Sequence, residues 1–93
     1  MAKTAPLKIL IVDDHAAMRR TVRQLFDERD VTFLEAATGE EAVQLFATEH
    51  PDWVVMDMRM PGMGGLKAAQ AIQQLDAKAR VLIISQFQDP EYA

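Results

Sequence analysis

The chain has no cysteine, and of its 93 residues only 6% are aromatic and two are histidine. The missing thiols exclude disulfide staples and thiolate metal centres. No apolar run approaches the roughly 20 residues of a membrane span, and the Met1 to Lys8 start lacks the apolar core of a secretory signal, so a cytoplasmic location is expected. Basic residues are also in deficit, with ten Lys and Arg against fourteen Asp and Glu for a net charge of -4. That balance offers no electrostatic footprint for nucleic acid, and direct DNA binding by this segment is not expected. What remains is 49% hydrophobic and 26% charged, the composition of one small globular domain over residues 1–93.

The apolar residues that are present fall in short runs that stop at acids. Leu7 to Val12 ends at Asp13 and Asp14, and the strand expected over Asp52 to Met56 ends at Asp57. A β-branched run that halts at a carboxylate reads as a buried parallel strand delivering its last residue to the carboxyl edge of a sheet, where open α/β folds place ligands. Between the runs the period changes. His15 to Glu28 carries Met18, Val22, Leu25 and Phe26 at helical spacing. Val31 to Ala36 reads as a second strand, and Thr38-Gly39-Glu40-Glu41 as a capping box opening a helix with Ala42, Leu45 and Phe46 inward, ending by His50 before Pro51. Pro61 to Gly65 is a loop, Leu66, Ala69, Ile72 and Leu75 mark a third helical stripe, and Arg80 to Ile84 a fourth strand. Alternating strands and helices predict an α/β, flavodoxin-like, doubly wound parallel sheet. Asp13, Asp14 and Asp57 can share one small cation only if the first and third strands are neighbours, which yields the order 2-1-3-4.

Three clustered acids destabilise a fold unless a proton or a hard divalent ion offsets their charge, and an all-oxygen donor set suits Mg2+. A carboxylate can also attack phosphorus to give an acyl phosphate. Ser85, ending the fourth strand, is expected beside Asp57 with its hydroxyl available to a phosphoryl oxygen. The methionines at 56, 58, 60 and 63 read as core and loop filler rather than a soft-metal site. Neither His15, flanking the cleft, nor His50, at a helix end, has a partner at metal spacing in the sequence. Arg19, Arg20 and Arg23 read as a solvated helix face.

The segments Leu7 to Asp14 with His15 to Arg20, Val55 to Gly65, and Val81 to Ser85 together resemble a response-regulator receiver domain over residues 7–93. The resemblance implies Asp57 as phosphoacceptor, Asp14 as a direct Mg2+ ligand, Asp13 as a ligand through water, the Arg59 carbonyl as a backbone ligand, and Ser85 as the hydroxyl that senses the phosphoryl group. It implies a sensor histidine kinase as partner, and no enzyme activity beyond phosphotransfer to its own aspartate and loss of that phosphate. The stretch from Ser85 to Tyr92 looks most like regulators with a helix-turn-helix output domain, hence control of transcription. A haloacid-dehalogenase-like phosphatase would need a second acid where Arg59 stands, and a dinucleotide-binding domain a glycine-rich turn where Asp13-Asp14-His15 stands. The competing reading is a degenerate or truncated receiver kept as a dimerisation or docking module without a productive switch.

Against the family pattern the sequence stops early. Asp89 and Pro90 suit the N-cap and first residue of a fourth helix, while the family's fifth strand, its lysine and its fifth helix have no counterpart here. An apolar edge strand and a half-covered sheet face are expected to expose a patch on the order of several hundred Å2. A homodimer or element-swapped oligomer is therefore expected of this chain, and light scattering on size-exclusion peaks checks it: a well-folded monomer at high concentration counts against it.

Overall fold

The computed structural model describes residues 7–26, 30–60 and 62–84. Four strands, β1 (Leu7–Val12), β2 (Val31–Ala36), β3 (Trp53–Asp57) and β4 (Val81–Ile84), alternate with three helices, α1 (Ala16–Leu25), α2 (Gly39–Glu49) and α3 (Gly65–Leu75). All pairings are parallel and the order is β2-β1-β3-β4. This is the expected flavodoxin-like arrangement, with β1 at the point where connections diverge to either side. The calls on Ser85, Asp89 and Pro90, and on Pro61, lie outside the described residues.

Central strands are buried on both faces, which explains why β1 is apolar without alternation. Leu10 and Val12 of β1, with Val54 and Met56 of β3, meet Ala42 and Phe46 of α2 and Ala68 and Ile72 of α3. Ile9, Ile11 and Val55 face the other way, against Val22 of α1. Of the methionines at 56, 58, 60 and 63, Met56 and Met60 are buried in the first cluster and Met63 packs against it, whereas Met58 is exposed.

Local chemistry sets the helix ends. The Thr38 hydroxyl accepts the Glu41 N–H at 3.1 Å, and the Glu41 carboxylate accepts the N–H of Ala37, one residue before the cap. His50 closes α2 in the left-handed conformation, with φ 48°. Ahead of α3, Gly64 has φ 80°, a conformation that favours glycine. Gly65 donates its N–H to the Met58 carbonyl at 3.1 Å, and a Cβ at this position would collide with the Asp57 carbonyl oxygen. The turn that follows Asp57 thus needs a residue with no side chain.

Three inward residues expected from periodicity are exposed instead. Leu25 closes α1 and is 76% exposed. Arg19 and Arg23 of the same helix reach Glu35 on β2, and Val22 is the residue of α1 buried against the sheet, so Leu25, about 60° away from it at the helix end, is left in solvent. Leu66 is exposed because it lies about 120° round α3 from the buried Ile72. Leu75 is exposed at the last turn of α3, while Ala68 and Ala69 supply the close approach to the sheet. Among the described residues α1 alone packs on the second face. Beside it Leu7, Ile9, Phe26, Trp53, Val55 and Leu82 line an apolar cavity of about 220 Å3.

Substituting Gly65→Ala is expected to cost about 1–3 kcal/mol, since backbone rather than a flexible side chain must yield. The exposed Leu66→Ala one position on is expected to stay within about 0.5 kcal/mol. Urea titrations of the two variants check the contrast.

Candidate functional site

Asp13 follows the last residue of β1, and its N–H continues the ladder by donating to the Ala36 carbonyl at 3.0 Å. Val12 is paired with Met56, so the next residue on each strand, Asp13 and Asp57, stands at the same level on neighbouring strands, whose backbones run about 4.8 Å apart. Both side chains are withdrawn from solvent, Asp13 at 1% exposure and Asp57 at 2%. Asp14 is half-buried beside them, and its Oδ1 is buried without a hydrogen-bond partner.

The backbone turns sharply after Asp13. The Asp13 carboxylate accepts the N–H of His15 at 2.9 Å, folding the loop so that the His15 ring returns over the acids. His15 Nδ1 lies 3.2 Å from Asp13 Oδ1 and 3.1 Å from Asp14 Oδ1. Ligand atoms of Asp13, Asp14 and His15 all lie within 4.8 Å of one another. This corrects the reading that His15 has no partner at metal spacing. Helical i, i+4 spacing does not apply in a loop, and three consecutive residues converge because the turn reverses the chain. The adjacency of Asp13, Asp14 and His15 was the available signal.

Arg19 corrects a second reading. It is only 18% exposed at its side chain, not part of a solvated face. Its Nη1 donates to the Asp13 carbonyl at 2.7 Å and its Nε to Glu35 Oε1 at 2.7 Å. Arg23 also reaches Glu35, at 3.3 Å, and its guanidinium lies 5.4 Å from the Phe33 ring centroid. Arg20 does lie on an exposed surface.

Neighbouring groups shape the ionisation of Asp57. Burial pushes the Asp57 carboxyl above its ordinary value of 3.8, and the nearby charges of Asp13 and Asp14 push it the same way. The Arg59 N–H, donating to Asp57 Oδ1 at 3.3 Å, and the neighbouring His15 pull it down. The crowded carboxylates, among them the buried Asp14 Oδ1 that makes no hydrogen bond and has His15 Nδ1 at 3.1 Å, are a donor set that fits a hard divalent cation. Asp57 itself is a shielded carboxylate at the end of a central strand, able to act as a nucleophile toward phosphorus. Ser85, the fourth residue expected at this edge, lies outside the described residues.

Comparison with known proteins agrees with this geometry. The profile of the response regulator receiver domain matches residues 9–93. The nitrate/nitrite response regulator NarL of Escherichia coli K12 is 33% identical over 87 residues, covering 91% of this chain and 40% of NarL. A LuxR-family two-component response regulator from Aurantimonas sp. SI85-9A1 superposes with a TM-score of 0.81 at 38% identity, covering 95% of this chain and 64% of that one. The CheX-CheY complex with BeF3 and Mg2+ from Borrelia burgdorferi gives 0.82 at 32% identity, covering 95% of this chain and 68% of that one. The chain thus spans less than half the length of NarL and just under two thirds of the Aurantimonas regulator.

The raised Asp57 carboxyl carries a stability signature. Below pH 3.8 the group is protonated in folded and unfolded chains alike. As pH rises through the higher folded value, the unfolded chain has already ionised and the folded one resists, so stability is lost. Asp57→Asn removes that penalty while keeping an acceptor for Arg59. In chelator-containing buffer the variant is expected to match the parent near pH 3 and exceed it at pH 7, as urea unfolding at a series of pH values would measure.

Proposed function

The chain belongs to the response regulator receiver domain family, and on that premise we propose that Asp57 accepts a phosphoryl group from the phosphohistidine of a sensor histidine kinase. The observation that carries this reading is the buried Asp57 carboxylate, abreast of Asp13 at the end of β3 and held at one oxygen by the Arg59 N–H. In the transfer a carboxylate oxygen of Asp57 bonds to phosphorus as the donor's N–P bond breaks, and the departing imidazole takes up a proton. Water later attacks the acyl phosphate, releasing inorganic phosphate and restoring the carboxylate. The domain acts on its own aspartate and is not an enzyme for other substrates.

Asp13, Asp14, Asp57 and the Arg59 carbonyl are the groups proposed to hold Mg2+. When bound there, the ion supplies positive charge against the phosphoryl oxygens. The chain's own part is positional. Arg19 anchors the Asp13 backbone through its carbonyl. The side-chain-free approach of Gly65 keeps the Asp57 backbone against Met58 and α3. Ser85 is proposed to donate its hydroxyl to the phosphoryl group. The Borrelia CheY solved with BeF3 and Mg2+ supports the reading, since it shares this fold at a TM-score of 0.82. The likeness to a putative transcriptional regulator of Pseudomonas aeruginosa, 34% identical over 87 residues, supports an output in transcription. Self-association over the apolar face of β3 and β4 belongs to the same proposal, with phosphorylation altering oligomeric state.

Acetyl phosphate with Mg2+ is expected to add one phosphoryl group to the chain by intact mass, and beryllofluoride to shift its oligomeric state by light scattering. Asp57→Asn is expected to abolish both. Modification with no change of state would favour the docking-module reading, and no modification would overturn the phosphoacceptor role.

A further inference from the structure

We propose that Glu35, on the edge strand β2, is a positioning residue for the acidic site, acting through Arg19 to fix the main chain at Asp13 and Asp14. Its functional consequence rests on the phosphoacceptor reading of Asp57; its geometry does not.

The main chain of Asp13 is gripped on both sides. Its N–H donates to the Ala36 carbonyl at 3.0 Å. Its carbonyl accepts from Arg19 Nη1 at 2.7 Å, and the same guanidinium donates from Nε to Glu35 Oε1 at 2.7 Å. Glu35 precedes Ala36 and pairs in register with Ile11, two residues before Asp13. The last two residues of β2 thus hold Asp13 by two routes, one direct and one relayed.

The relay works because a guanidinium is planar and rigid. Its Nε–H and Nη–H bonds leave at fixed angles, so a short bond from Nε to Glu35 dictates where Nη1 points. The Arg19 side chain is only 18% exposed, and Glu35 supplies the opposite charge that makes this burial tolerable. One orientation then governs two acids. The peptide between Asp13 and Asp14 is planar, so holding the Asp13 carbonyl sets ψ of Asp13 and φ of Asp14 together, and with them the directions in which both side chains leave the backbone.

Glu35 Oε2 faces a second arginine, but that contact differs in kind. Arg23 Nη1 stands 3.3 Å away, its side chain is 49% exposed, and its guanidinium lies over the Phe33 ring at 5.4 Å. An ion pair this open to water contributes little. Arg23 therefore serves as the control, since it shares the carboxylate but reaches toward Phe33.

Amide hydrogen exchange of the metal-free chain, followed by NMR, tests the role. In Glu35→Ala and in Arg19→Ala the Asp13 N–H is expected to exchange about tenfold faster than in the parent. The Val54 N–H, which donates to the Arg80 carbonyl at 2.9 Å elsewhere in the sheet, should stay within about twofold. The double variant should be no faster than Arg19→Ala alone, because the effect passes through Arg19. Glu35→Gln, which keeps an acceptor for Nε, should recover part of the protection, and Arg23→Ala should leave it intact. With acetyl phosphate as donor, the Mg2+ concentration for half-maximal modification is expected to rise about threefold or more in Glu35→Ala, while the rate at saturating Mg2+ stays within about twofold. Parental exchange at Asp13 in Glu35→Ala, equal acceleration at Val54, an equal effect of Arg23→Ala, additive effects in the double variant, or an unchanged Mg2+ requirement would each overturn the role. A parent chain that takes up no phosphoryl group would instead overturn the Asp57 reading, because the exchange comparison needs neither metal nor phosphoryl donor.

Discussion

The pairing of β1 with β3 is the constraint on which the rest depends. Parallel neighbours bring their carboxyl ends to one edge, and the register Val12 to Met56 sets Asp13 and Asp57 side by side. A next-nearest strand would leave their backbones about 10 Å apart, too far for a common small ion. The apolar residues that precede the acids maintain this register. Leu10, Val12, Val54 and Met56 are locked under α2 and α3, and Ile9, Ile11 and Val55 under α1. Slipping either strand by one residue would turn these side chains to the wrong layer.

Gathering like charges in a buried edge is unfavourable, and the surrounding groups moderate it without cancelling it. The Arg59 N–H meets Asp57, the His15 N–H meets Asp13, and the Arg19 guanidinium grips the Asp13 carbonyl while pairing with Glu35. Burial and the neighbouring acids still raise the Asp57 carboxyl, and the buried Asp14 Oδ1 makes no hydrogen bond, with His15 Nδ1 beside it at 3.1 Å. A site with this residual imbalance is disposed to attract positive charge, which is the physical basis of the proposed Mg2+ role. Gly64 ahead of α3 and Gly65 at its first position have a geometric role, letting the helix start directly against the Asp57 carbonyl.

Much of the fold was legible because local and long-range signals agreed. Runs ending in acid marked β1 and β3, Thr38 and Glu41 marked the start of α2, and the shared-ion argument alone implied the observed order. Leu25 and Leu75, at helix ends, were misjudged because periodicity says which residues share a stripe but not how far the partner surface extends, and Leu66 because it lies well round α3 from the buried Ile72. Arg19 was misjudged for the converse reason, since a charge on a helix reads as solvated until a carbonyl and a carboxylate from other elements are placed within its reach.

By itself, the sequence determined the alternation of strands and helices, the family, and which carboxylates close the central strands, because these follow from apolar spacing and residue type along a few neighbouring positions. Only the tertiary structure decided that His15 turns back onto Asp13 and Asp14, that Arg19 is committed to the Asp13 backbone, and that among the described residues an apolar hollow lies beside α1. Those outcomes depend on where a loop reverses and on which surfaces meet across the sheet, and distances between residues remote along the chain exist only once it has folded.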